Sequence, residues 1–263
     1  MSAPRATAAL ATIATWNVNS IRVRHDRVVS WLETHPVDVL CLQETKATNS
    51  QFPTSAFEAM GYRVFLHGQK QFNGVALLVK GGADDVVCGL EGDDQARLIG
   101  ASVGDTRVFT AYVPMGQAVG AEKYVYKLQW LARFRDLLAQ ELKTHPNVVL
   151  CGDFNVAPEP RDTHDPARWE GGILCSDQER EALAAVRALG FHDAFRAVRP
   201  SDIDFTWWDY RAHAFPKNHG LRIDHFYVTA PLLNRIVSVV VDREERGGEQ
   251  PSDHAPVVLT LSQ

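Results

Sequence analysis

Two segments constrain the fold most. Val37–Gln43 (VDVLCLQ) and Asn147–Asp153 (NVVLCGD) are apolar at almost every position and show no alternation. A strand with one wet face alternates, whereas a nearly continuous apolar run marks a strand covered on both faces. Each run follows a segment with helical spacing. Before the first, Arg22–Thr34 carries Val23, Val28, Trp31 and Leu32 and is stopped by Pro36. Before the second, Ala121–Leu142 carries Tyr124, Leu128, Leu131, Phe134, Leu138 and Leu142 in steps of three and four, one apolar stripe. Both runs end in polar residues, Gln43-Glu44 and Gly152-Asp153-Phe154-Asn155. The chain thus faintly repeats a helix followed by a buried strand. Two sheets packed face to face with helices outside accommodate this pattern, although periodicity alone leaves an open α/β sheet in play.

Thr12–Asn17, Tyr62–His67, Val75–Lys80, Arg97–Val103, Arg107–Tyr112, Ile223–Thr229, Ile236–Val241 and Val257–Leu261 read as further strands, parted by Gly/Asp turns such as GGADD and GLEGDD. Phe52–Met60 reads as a short helix and Gln178–Leu189 as a longer one, stopped by Gly190. No Pro/Gly/Ser linker divides the chain. One domain over 11–263 is therefore expected, after a loose leader over 1–10. The four cysteines (41, 88, 151, 175) have no CxxC spacing, so free thiols are expected rather than zinc or disulfides. No run of about 18 apolar residues could span a membrane. The leader lacks the apolar core of a signal peptide. Both point to a cytoplasmic protein.

Polar residues gather where the apolar strands stop. The ends read Trp16-Asn17-Val18-Asn19, Gln43-Glu44-Thr45-Lys46, Tyr112-Val113-Pro114, Gly152-Asp153-Phe154-Asn155 and Arg222-Ile223-Asp224-His225, and Ser252-Asp253-His254-Ala255-Pro256 precedes the last strand. Any one of these reads as a turn or a helix cap. Six in one chain read as a site, because carboxylates at buried strand ends are costly unless paired or bound to metal. Oxygen donors with room for water suit Mg²⁺ or Mn²⁺; zinc would want Cys or closely spaced His.

WNVNSIR, LQETK, YVP, GDFN, GLRIDH and SDHAP, in this order, resemble the exonuclease III family of AP endonucleases, within the wider endonuclease/exonuclease/phosphatase fold. The likeness runs from about Ile13 to Leu261. It implies a four-layered α/β sandwich, two β-sheets flanked by helices. It also implies a Mg²⁺-dependent enzyme that cleaves duplex DNA 5′ of abasic sites, with 3′-5′ exonuclease and 3′-phosphatase or 3′-phosphodiesterase activity. By the same resemblance, Glu44 is the main metal ligand with Asn17 and Asp253. Asp153 activates the attacking water, and Asn155 binds the scissile phosphate. Asp224 polarises His254, which meets a phosphate oxygen with Tyr112 nearby.

Arg22, Arg24 and Arg27, then Lys46, Lys70, Lys123 and Lys127, and finally Arg211, Lys217 and Arg222, supply cations around these motifs. Within the resemblance Arg22 and Arg27 match phosphate contacts, and Trp207 matches the aromatic lining the pocket for an extruded abasic sugar. Lys46, Lys70, Arg211 and Arg222 are further expected DNA contacts. Trp208 adjoins Trp207, so one of the two faces the core. One departure stands out: Met115 occupies a position after Tyr-x-Pro where the family usually has Asn or Gln, and a thioether cannot donate a hydrogen bond. Gln117 is the nearest substitute. The chain carries 32 acidic against 27 basic residues, which argues mildly against nucleic acid. Four of those acids belong to the expected centre, so the remainder is close to neutral and a basic rim around an acidic centre is expected. The alternative reading is a relative acting mainly on 3′ ends or on a non-DNA phosphate ester. A monomer is expected.

Overall fold

The structure is a computed structural model that describes residues 10–262. The leader expected over 1–10 lies outside these residues except for Leu10, which is buried in the core and belongs to the fold.

Twelve strands are described: β1 (Thr12–Asn17), β2 (Val39–Gln43), β3 (Tyr62–His67), β4 (Val75–Lys80), β5 (Asp84–Cys88), β6 (Leu98–Val103), β7 (Thr106–Tyr112), β8 (Val148–Asp153), β9 (Phe191–Asp193), β10 (Asp224–Thr229), β11 (Ile236–Val241) and β12 (Val257–Leu261). They form two six-stranded sheets, ordered β11-β12-β1-β2-β4-β3 and β5-β6-β7-β8-β10-β9. Each sheet has one parallel pair, β1 with β2 and β7 with β8, and all other pairings are antiparallel. A parallel pair needs a crossover. Helix Ile21–Thr34 supplies the first and helix Glu122–Glu141 the second. The internal echo in the sequence is therefore a repeated βαβ unit, one per sheet.

The apolar runs are covered on both faces, as their composition demands. In β2, Val39 and Cys41 face the other sheet, in a core with Ile13, Leu77, Val108, Val149, Cys151 and Phe226. Leu40 and Leu42 face outward, beneath Val28, Trp31, Leu32 and Phe57. In the other sheet Phe109 and Leu150 pack under Trp130, Leu131, Phe134 and Leu183. The result is helix, sheet, sheet, helix. Each fully buried Leu, Ile, Val or Phe side chain contributes roughly 1.5–3 kcal/mol.

Three differences from the sequence reading have simple causes. Asp84 and Asp85, read as the end of the GGADD turn, instead open a strand, Asp84–Cys88, that the sequence reading does not assign. It lies at a sheet edge, where charged residues are favoured and apolar patterning is weak. The short strand Phe191–Asp193 and helix Ala194–Val198 are too brief to show a period. The stripe of helix Glu122–Glu141 includes buried Lys127, while Leu128 is only half-buried.

Gly152 shows how closely the strands meet at the end of β8. Its φ is +128°, and an added Cβ would lie 2.1 Å from the Ala111 carbonyl oxygen. Gly152→Ala should cost about 2–3 kcal/mol through strain and forced strand separation. A fall of roughly 5–10 °C in Tm follows for a chain of this length, readable by thermal unfolding. An unchanged Tm would mean that the two strands part without cost.

Candidate active site

The parallel pairs bring the polar strand ends to one edge. Asn17 is in register with Gln43, Tyr112 with Asp153, and Asp153 with Asp224. The carboxyl ends of parallel strands are where open crevices form in α/β proteins. Beyond them the backbone turns sharply, with Glu44 at φ +50° and Asn155 at +49°.

Asn17 joins the two sheets chemically. Its Nδ2 donates to Glu44 Oε1 at 2.9 Å and to Asp153 Oδ2 at 2.9 Å. Its Oδ1 accepts from the Asn19 amide at 3.0 Å. That last bond sets which way the amide faces, so Asn17 presents hydrogens rather than oxygen to both carboxylates. In this arrangement Asn17 orients the acids, and to act as the expected metal ligand it would have to turn its Oδ1 from the Asn19 amide to the ion. The Lys46 ammonium meets Glu44 Oε2 at 2.8 Å. Burial alone would raise the Glu44 carboxyl, but Lys46 and the Asn17 bond outweigh it and hold it below its ordinary value.

Asp153 is almost fully buried. Its Oδ1 accepts from the Asn155 amide at 2.9 Å, and its Oδ2 accepts from Asn155 Nδ2 at 3.2 Å. Burial pushes its carboxyl up to about 7, with Asp224 adding to the shift and His254 and Asn17 opposing it. His254 Nδ1 lies 2.8 Å from Asp224 Oδ2, and Nε2 lies 3.7 Å from Asp153 Oδ2. Burial disfavours the imidazolium, yet Asp224 and Asp153 more than reverse this and raise it to about 10. Trp16 Nε1 donates to the His254 carbonyl at 3.1 Å, and the Thr206 hydroxyl accepts from the amides of Ile223 and Asp224. These two braces were not read from the sequence, because each spans a large separation. The Tyr112 hydroxyl meets Glu44; burial first, then Glu44 and Asp153, hold its pKa well above the ordinary value.

Two donor sets could hold a cation. Asp153, Asp224 and His254 lie within 4.8 Å of one another, and Asp224 Oδ1 is buried with no hydrogen-bond partner. That cluster already contains the imidazolium as its cation. Glu44 is the better anchor for a hard ion: its carboxylate keeps side-chain exposure of 18% and meets Lys46, the Asn17 amide and the Tyr112 hydroxyl, none of which closes its open side. Asp253, the third expected ligand, has both oxygens engaged, by Asn19 Nδ2 and Trp207 Nε1 at 3.0 Å each. Those bonds and the His254 cation lower its carboxyl against the effect of burial.

The expected DNA contacts divide. Arg22, Lys70 and Arg211 are exposed, and Trp207 is half-buried with its indole turned to Asp253, while Trp208 is core. Lys46 stands on Glu44. Arg27 is spent on the Glu245 carboxylate at 2.7 Å and on the carbonyls of Glu245, Gly247 and Glu249. Its expected phosphate contact is not supported by this geometry. Arg222 is a plain correction. It is 1% exposed and its guanidinium is ringed by Asp162 and Asp193, so it cannot reach DNA. Lys127 is likewise fully buried. Arg97 was not singled out, yet its guanidinium lies 4.7 Å from the Tyr112 ring centre.

A two-sheet sandwich with a buried Asp–His–Asp cluster and a neighbouring acidic anchor defines a phosphoester hydrolase. The chain belongs to the Endonuclease/Exonuclease/phosphatase family, which it matches over residues 14–254. Within that family it is a hydrolase of the exodeoxyribonuclease III and AP endonuclease type. It is 34% identical to the exodeoxyribonuclease III of Haemophilus influenzae over 92% of this chain and 96% of that protein. It superposes on a 3′ phosphatase, NExo, from Neisseria bound to a product DNA hairpin, with TM-score 0.95 and 39% identity, covering 96% of this chain and 100% of that one. An AP endonuclease from Archaeoglobus fulgidus gives TM-score 0.93 at 40% identity, covering 97% and 100%. These likenesses support a DNA-repair nuclease. Among the described residues no helix is long and apolar enough to cross a membrane.

Proposed function

We propose that this protein is a divalent-cation-dependent phosphodiesterase that nicks duplex DNA 5′ of abasic sites and clears blocked 3′ ends. The observation that carries it is the buried Asp153 carboxyl, 3.7 Å from His254 Nε2 and bonded to Asn17 and Asn155. A carboxyl poised near neutral pH suits a general base for water. The imidazolium of His254, steadied by Asp224, is a donor for a phosphate oxygen. Asn155 spends its amide hydrogens on Asp153 and the Val113 carbonyl, so it acts first by holding Asp153. Glu44 would hold the cation, Mg²⁺ or Mn²⁺, which when bound supplies Lewis acidity at the phosphate. The 39% identity to the Neisseria 3′ phosphatase favours the 3′-end activity alongside the first.

The test is a labelled duplex with one abasic site, incubated with Mg²⁺ or with EDTA, beside a duplex ending in a 3′-phosphate. Nicking on the 5′ side and phosphate release are expected in Mg²⁺ and not in EDTA. An intact abasic strand in Mg²⁺ would refute the endonuclease reading. Phosphate release alone would make it an enzyme of 3′ ends.

A further inference from the structure

Lys127 lies in the second turn of helix Glu122–Glu141, at a position on the stripe that packs against the sheet, and it has no exposed surface. Glu179, from the helix Asp177–Arg187, is equally buried and forms an ion pair with it. Taking both charges out of water costs several kcal/mol per ion unless every donor and acceptor is matched. Here they are matched. Lys127 Nζ has three hydrogens and three acceptors: the Asn155 carbonyl at 2.6 Å, the Met115 carbonyl at 3.3 Å and the Glu179 carboxylate. Besides that bond, Glu179 accepts from the Leu174 amide at 3.0 Å, the Ser176 amide at 3.0 Å and the Ser176 hydroxyl at 2.6 Å.

An apolar pair of similar volume is often neutral or stabilising, but here it would strand the carbonyls of Asn155 and Met115 and the amides of Leu174 and Ser176. The ions are matched to those backbone targets, and the targets show what the pair holds. The lysine grips the carbonyl of Asn155, a non-glycine residue held at φ +49°. The amide and side chain of that same residue set both oxygens of Asp153. It also holds Met115 in the loop after β7, whose last residue is Tyr112. Through Glu179 it ties in the 174–176 segment, where Leu174 has φ +71°. One ammonium thus clamps three loops from behind the catalytic wall without facing the cleft.

We propose that Lys127 and Glu179 form a positioning pair for hydrolysis: the ammonium fixes the Asn155 peptide, and Asn155 in turn fixes the Asp153 carboxylate. The pair touches neither DNA nor the reacting atoms. This inference rests on the proposed phosphodiesterase reading.

The test uses steady-state cleavage of the abasic duplex and of the 3′-phosphate duplex by the whole chain, with thermal unfolding of each variant. The double variant Lys127→Met, Glu179→Gln removes both charges together and keeps one acceptor oxygen, for either Leu174 or Ser176, at the other of which the amide nitrogen must be accommodated. It is expected to fold, with KM within about threefold of the parent and kcat about 10–100-fold lower, the scale of a misplacement of about 1 Å. Lys127→Arg keeps the charge, but a planar fork cannot reach all three acceptors together. Its kcat should fall between the two with KM unchanged. If the double variant does not fold, Lys127→Arg alone decides. Parental kcat in either folded variant would overturn the proposal. So would a raised KM at parental kcat, which would mark a binding role. Inactivity of the parent chain on both duplexes would instead sink the phosphodiesterase reading.

Discussion

Asp153→Asn should lower kcat by roughly 10³–10⁴-fold, the upper part of what a positioned proton acceptor supplies. That loss corresponds to about 4–5.5 kcal/mol of barrier. The substitution keeps shape and volume. An amide oxygen can still accept from the Asn155 backbone as Asp153 Oδ1 does at 2.9 Å. What disappears is the negative charge and the capacity to take a proton from water. The new amide nitrogen would also face the donors of Asn17 and Asn155, so one of those side chains must turn. DNA affinity should hold or improve, since an anion is removed from beside the phosphate path. Single-turnover cleavage together with an equilibrium binding titration reads both quantities. Cleavage within tenfold of the parent would remove Asp153 from its role as base, and lost binding would make it a structural residue. The parent should also lose activity as pH falls through about 7, because burial pushes the carboxyl up to about 7 and the base works only when deprotonated. A cation on Glu44 adds positive charge nearby, so the limb in Mg²⁺ should lie at or below that value.

Much of this site was legible because its residues stand at the ends of strongly patterned strands. Apolar runs such as VVLCGD stop where the strand leaves the apolar core for buried polar surroundings, so Asp153, Glu44 and Asp224 were located by their neighbours. The two βαβ units showed through for the same reason. Buried polar partners were harder to read. Lys127 looks in sequence like one of many surface lysines, although it falls four residues before Leu131 on a stripe that must face the core. Glu179 closes a capping box with Ser176, a common surface motif that does not announce a buried acid. Arg22 and Arg27 are five residues apart, about 1.4 helical turns, and only the loop around Glu245 decides that Arg27 is occupied. Long-range pairings of this kind leave no period in a single sequence.

Arg222→Met should destabilise the fold by about 3–5 kcal/mol, the usual cost of leaving buried charges without a counter-ion. Arg222 Nε meets Asp162 Oδ1 at 2.7 Å, and Nη2 meets Asp193 Oδ2 at 2.9 Å. Nη1 lies 3.1 Å from His225 Nδ1, and Arg196 shares Asp162. Burial disfavours the guanidinium, but Asp193 and Asp162 outweigh it and raise its pKa. Methionine fills the stem but leaves Asp193 with the Arg196 amide and Asp162 with the Glu159 amide and the Arg196 guanidinium, which becomes the only cation on the two acids. A fall of about 6–20 °C in Tm is expected at roughly 2–4 °C per kcal/mol. The same variant separates the structural role from the DNA contact that the sequence suggested. A phosphate contact removed would reduce the dependence of log affinity on log salt by about one. The structure requires that slope to stay as in the parent, measured well below the lowered Tm. A shallower slope with an unchanged Tm would place the guanidinium at a phosphate and reverse the assignment. A lowered Tm with an unchanged slope keeps Arg222 inside the protein, where it anchors the segment that leads into Asp224.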